Sequence, residues 1–239
     1  MKLLFENWRG FLSEGRKLER HTTLISRRVV DAIKDDEVKD AFNASGELEF
    51  QVDVGDIVQD LPNVRNLYVE MMAGDYVFAH AKYEFDLDAT EEQRKTSDII
   101  VNVILPVGYD DSVLSQLIPE LKDSLRHELE HSTQPTDMLM KIQKQIPKGD
   151  IWKSLESAKS YYTDEAETKA HIAGFYKKAK MLKEPMAKVI DEELWNIYST
   201  GLSRGYKEED LDPIMGEIKE LWYFYALQRY PHAEMEYER

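Results

Sequence analysis

The sequence predicts an α+β fold: an antiparallel sheet of about four strands packed on one amphipathic helix, followed by a mostly helical C-terminal half. Three observations carry this. Between Glu47 and Leu87 there are stretches in which apolar residues recur at every second position, the period of a half-buried strand. After Pro106-Val107-Gly108 the apolar spacing lengthens to that of a helix and stays there. The links between the strand segments are too short to hold crossover helices, which points to antiparallel pairing.

Residues 1–44 read as a helical arm. Leu24, Val29, Val30 and Ile33 form its stripe, with Thr22 or Thr23 as N-cap candidates. Asn43-Ala44-Ser45-Gly46 breaks the pattern. Leu48, Phe50, Val52 and Val54 then alternate with Glu47, Glu49, Gln51 and Asp53, giving a first strand. Leu67 to Met72 is a second. Gly74-Asp75 reads as a tight turn into a third, along Val77, Ala79, Ala81, Tyr83, Phe85 and Leu87. Ile99 to Leu105 is nearly continuous in apolar residues, as in a strand covered on both faces. A helix over about 112–132 carries Leu114, Ile118, Leu121, Leu125 and Leu129 on one face. Pro119 marks a kink or the true start of that helix, and Gln134-Pro135 ends it. Further helices are expected over 151–161, 165–182, 186–200 and 208–229, then a charged, irregular tail. Residues 45–203 group as one domain between the arm and a C-terminal segment, 204–239.

Composition excludes several classes. The 239 residues hold 46 acidic against 31 basic side chains, a formal charge of −15, so no basic stripe awaits nucleic acid. There is no cysteine, which removes disulfides, thiolate metal sites and a cysteine nucleophile. No run is long enough to span a bilayer, and the first nine residues lack the apolar core of a signal peptide. A protein acting in the cytoplasm where it is made, without a membrane partner, is the expectation.

The chemistry concentrates in His127-Glu128-Leu129-Glu130-His131. Helical residues four apart share a face, so both imidazoles can address one metal ion. Glu128 sits about 100° round the helix from His127 and can reach a water on that metal. This is the HExxH arrangement, with the glutamate as general base. The same five residues also read as HxxEH, which would make Glu130 the base. The wheel leaves that choice open, since the two glutamates flank the histidines almost symmetrically.

Downstream stand Glu167, Ala170 and His171, opening another helix. HExxH followed by a helical Glu-x-x-Ala-(Asp/Asn/His) resembles the gluzincin group of zinc metallopeptidases, over roughly residues 112–182. The resemblance implies Zn2+ held by His127, His131 and Glu167, with Ala170 as a small packing residue and a peptide or protein as substrate. It favours Glu128 as base and leaves Glu130 as a surface residue. Glu165 is a second candidate for third ligand. His171 stands where Asp or Asn is commoner, so it orients a ligand, contacts substrate or binds metal itself. Tyr161, Tyr162 and His171 are candidate oxyanion donors by proximity to Glu167. In the related family an edge strand binds the extended substrate, a role for the strand at 76–88 or at 98–105. His21, His80 and His232 read as surface histidines. The alternative is a structural or interaction protein keeping a metal site without proteolytic activity. Met1-Lys2-Leu3-Leu4-Phe5-Glu6-Asn7-Trp8-Arg9 is similar to the starts of proteins from large tailed bacteriophages, which would place the protein in host cytoplasm or a virion, with an assembly partner.

Overall fold

The computed structural model describes residues 2–59, 61, 63–84, 97–145 and 150–233. The expected strand residues Phe85 and Leu87 and the end of the C-terminal tail lie outside them. The chain forms two compact units, residues 1–133 and 134–239. Their boundary falls at the end of the motif helix, inside the 45–203 span that the sequence grouped together.

The first unit begins with helices α1 (Lys2–Ile33) and α2 (Asp36–Ser45), followed by strand β1 (Glu47–Val52) and a short helix α3 (Gly55–Val58). Strands β2 (Asn66–Ala73), β3 (Phe78–Glu84) and β4 (Asp98–Leu105) come next, then the long helix α4 (Asp111–Thr133). Helix α1 runs through Thr22 and Thr23, so neither is an N-cap. Their hydroxyls donate back to the Leu18 and Glu19 carbonyls at 2.8 and 3.0 Å, the mid-helix alternative open to threonine. Helix α4 starts well before Pro119. Asp110 caps it, accepting from the Ser112 and Val113 amides at 2.9 and 3.1 Å.

The sheet is mixed, not antiparallel throughout. Its order is β1-β2-β4-β3, with β2 and β4 parallel and the two outer pairs antiparallel. Residues 74–77 therefore do not close a hairpin. They carry the chain about 9.6 Å sideways, two strand spacings, and β4 later fills the gap. Alternation sets which face a side chain takes but not which strand is the neighbour. The most apolar strand, β4, takes an interior position where both edges are bonded. It is not covered equally on both faces: Ile99, Val101, Val103 and Leu105 are fully buried, while Asp98, Ile100, Asn102 and Ile104 are half-buried.

Packed against β3 and α1, α4 buries Leu114, Leu117, Leu121, Leu125 and Leu129. At about 1.5–3 kcal/mol per leucine this burial is what holds the helix in place. Helix α1 packs along α4 with Ile25, Val29 and Ile33 inside.

The second unit is helical: α5 (Thr136–Gln145), a 3-10 turn (Ile151–Lys153), α6 (Leu155–Thr163), α7 (Glu165–Leu182), α8 (Met186–Ser203) and α9 (Glu208–Arg229). Its core joins Trp152, Tyr162, Phe175, Ile190, Leu211 and Trp222. Trp222 is fully buried and its indole N–H donates to the Tyr162 carbonyl at 3.0 Å. Among the described residues no helix is long and apolar enough to cross a membrane.

The crossing at 74–77 depends on Gly74. A Cβ there would lie 2.5 Å from Ile104 Cγ2, a branched methyl that cannot swing away without a χ1 change. Gly74→Ala is expected to cost about 1–3 kcal/mol in urea denaturation. Gly216→Ala, in α9 with nothing within 4 Å, is expected to stabilise by up to about 1 kcal/mol. Equal effects at the two positions would contradict the packing described for the crossing.

Candidate metal centre

The last two turns of α4 carry the motif. His127 and His131 turn their Nε2 atoms toward each other at 3.0 Å, with ring planes 77° apart. Glu128 Oε1 lies 3.8 Å from His127 Nε2. Two ligand nitrogens at 2.0–2.1 Å on a tetrahedral ion stand about 3.3 Å apart, so the imidazoles are nearly positioned to share one. His127, Glu128 and His131 form a group able to hold a metal ion by proximity of their donor atoms.

Edge strand β3 is what orients the carboxylate. The Tyr83 amide donates to Glu128 Oε2 at 2.8 Å, and the Ala81 amide donates to Ser124 Oγ at 2.6 Å. Hydrogen bonds to a charged acceptor contribute about 1.5–3 kcal/mol. Helix and strand are further joined through Asn63. Its Nδ2 donates to the Ser132 carbonyl in the last turn of α4 at 2.7 Å, and its own carbonyl accepts from the Tyr83 phenol at 3.0 Å. Helix-end carbonyls have no intrahelical partner, so this bond closes one that would otherwise need water.

These contacts correct two expectations. Glu130 is not a surface residue: it is 7% exposed and accepts from Arg126 Nη1 at 2.6 Å, with Arg126 fully buried. A helix end packed on several sides buries more than its leucine stripe. The substrate-strand role cannot fall to 98–105, because β4 is interior to the sheet. On β3, the Ala81 and Tyr83 amides donate to α4 and are not offered to an added strand.

Of the other histidines in this unit, His21 is buried, with Nδ1 2.7 Å from the Lys17 carbonyl, and His80 is exposed on β3. The His80 imidazole stacks on Phe78 at 6.4 Å. Its pKa is lowered by desolvation of the ring among its neighbours, while the Glu128 carboxylate acts in the opposite direction.

In the second unit, Glu167 is buried in the first turn of α7, which Asp164 caps by accepting from the Ala166 amide at 2.8 Å. Glu165 is exposed and bonds Lys169 at 2.6 Å, the geometry of a surface i,i+4 pair. His171 lies one turn after Glu167 and is ringed by Tyr161, Tyr162, Phe175 and Trp222, with centroids at 6.1, 5.9, 5.6 and 5.1 Å. The structure thus brings Tyr161 and His171 together. The Tyr162 phenol is pushed above its ordinary pKa by burial, then by the charges of Glu193 and Glu167, so it stays protonated at neutral pH.

The sequence marks neither Asn63, Ser124 nor Arg126, and Tyr83 reads there only as a strand residue. Asn63 and Tyr83 are separated by 69 and 45 positions from their partners on α4, and no local spacing marks them.

Arg126→Met, which removes the buried guanidinium paired with Glu130, is expected to cost about 3–5 kcal/mol in denaturant unfolding, and Arg126→Met with Glu130→Leu to recover most of it. A single-variant cost under about 1 kcal/mol would mean the pair behaves as a solvated one. A scan against protein-family models and searches of curated proteins and solved structures return no match to this chain.

Proposed function

We propose that the protein is a zinc-dependent peptidase in which Glu128 is the general base. The observation that carries this reading is the convergence of two imidazole Nε2 atoms at 3.0 Å beside a fixed carboxylate. Imidazole nitrogen and carboxylate oxygen are the donors zinc takes at hydrolytic centres. In this reading His127 and His131 hold the ion. Glu167 is the third ligand on its sequence register alone, and a zincin-like arrangement of sheet and helix is part of the same proposal. When bound, the ion supplies Lewis acidity toward a peptide carbonyl and acidifies a water molecule.

The chain's own groups do the rest. The Tyr83 amide holds one Glu128 oxygen, leaving the other on the His127 side to take a proton from water. Glu128 then delivers that proton to the departing amine. The Arg126 pairing engages Glu130 elsewhere, which favours Glu128 as the base. His171 and Tyr161 are the proposed donors to the developing oxyanion.

A second reading has its own support. Glu128 is 8% exposed and fastens α4 to β3, a job that needs no reaction. A protein keeping the metal site for structure, in an assembly or virion, would retain the same bond.

Elemental analysis is expected to find one zinc per chain, lost in His127→Ala and in His131→Ala. Glu128→Gln can still accept the Tyr83 amide, so it is expected to keep fold and metal while peptide-library cleavage falls about 10²–10⁴-fold. Cleavage that survives Glu128→Gln contradicts the mechanism. Zinc without cleavage in the native chain selects the structural reading. Tight zinc retention by Glu167→Ala shows that the third ligand is another group.

A further inference from the structure

Four of the large apolar side chains that unit 1 leaves exposed sit at one end of its sheet: Met72 at 48%, Tyr76 at 60%, Phe78 at 42% and Val107 at 57%. Register ties them together. Met72, Ile104 and Phe78 stand side by side across β2, β4 and β3 on the sheet's open face. Tyr76 meets Phe78 edge-on at 6.5 Å, and Phe78 stacks on His80 at 6.4 Å with planes 15° apart. The result is an aromatic ladder, Tyr76-Phe78-His80, running along β3 toward the level where Tyr83 holds Glu128.

The rim of this shelf is acidic. Glu47 lies opposite Met72, Glu49 lies directly opposite Glu70, and Asp75 is exposed beside Tyr76. Like charges facing each other across antiparallel strands are destabilising, and an incoming cation relieves that cost. Among the described residues the one lysine on the strands' open face, Lys82, is paired with Glu84 at 2.5 Å. A second copy of this chain is a poor occupant, since it would bring the same acidic rim and a net charge of −15. An apolar centre with a charged rim is the anatomy of a peptide-binding surface.

We infer that the Tyr76-Phe78 shelf is the substrate anchor of the α4 centre, seating an aromatic or long aliphatic side chain of a peptide whose neighbouring residues are lysine or arginine. This rests on the peptidase reading above. It also answers how a substrate is held when the β3 amides at Ala81 and Tyr83 are engaged: by side chains on the open face, not by strand addition. Phe78 and Tyr83 are about 17 Å apart along β3. An extended peptide covers that distance in about five residues, so the cut falls about that far from the anchor side chain.

The test uses the full chain carrying Glu128→Gln and two synthetic peptides with one central phenylalanine, flanked by lysines in one and by glutamates in the other. The lysine peptide is expected to bind at least tenfold tighter. Tyr76→Ser and Phe78→Ser, both at exposed positions, are each expected to weaken it tenfold or more while leaving thermal stability unchanged. Unchanged binding in both variants overturns the shelf. So does a concentration-dependent dimer that Phe78→Ser abolishes, which would assign the surface to a second copy. Cleavage by the native chain is then mapped. Cuts clustered about five residues from the phenylalanine support the anchor, and cuts unrelated to it overturn the anchor. If no peptide is cut but binding still depends on Tyr76 and Phe78, the peptidase reading fails and the shelf is a docking surface only.

Discussion

The first unit depends on how α4 is fastened to the free edge of β3. A sheet edge presents amide and carbonyl groups that must find partners, and here two of the amides find them on a helix. The match is metrical. Two residues of strand advance about 6.7 Å, and four residues of helix advance about 6.0 Å. Ser124 and Glu128, four apart, can therefore meet Ala81 and Tyr83, two apart. The same four-residue step places His127 and His131 on one face. Fixing Glu128 against the strand thus fixes where the imidazole pair points.

A helix end so buried has to account for its charges. Arg126, Glu128 and Glu130 are all buried within two turns. Such a cluster survives only where each charge is met by an opposite charge or a dipole. Arg126 meets Glu130, and Glu128 meets the Tyr83 amide. The two glutamates that look equivalent in the sequence are thereby separated: one neutralises a guanidinium, and the other is held by a single backbone donor with an oxygen directed at the histidines. That asymmetry comes from strand β3 and cannot arise from the helix alone.

Legibility in the sequence followed the range of the interactions. The α+β class, the presence of four strands and the helical C-terminal half come from local periodicity, and those features are read well. The parallel pairing of β2 with β4 depends on which strand enters the gap left by residues 74–77, a choice made by burial of the most apolar strand. The motif pentapeptide is local, so its convergence at His127 and His131 was visible from spacing. Its partners Asn63, Tyr83 and Ser124 were not, because a backbone amide or a lone asparagine carries no signature. Glu130 was misplaced for the same reason: its burial is decided by elements packed around α4.

The central claim is that His127 and His131 together hold zinc. X-ray absorption at the zinc edge of the purified chain tests it most directly. The account predicts scattering from two imidazole rings bound through nitrogen at about 2.0–2.1 Å, with the remaining ligands oxygen. An absence of imidazole scattering, or a single ring that persists after His131→Ala, would contradict it.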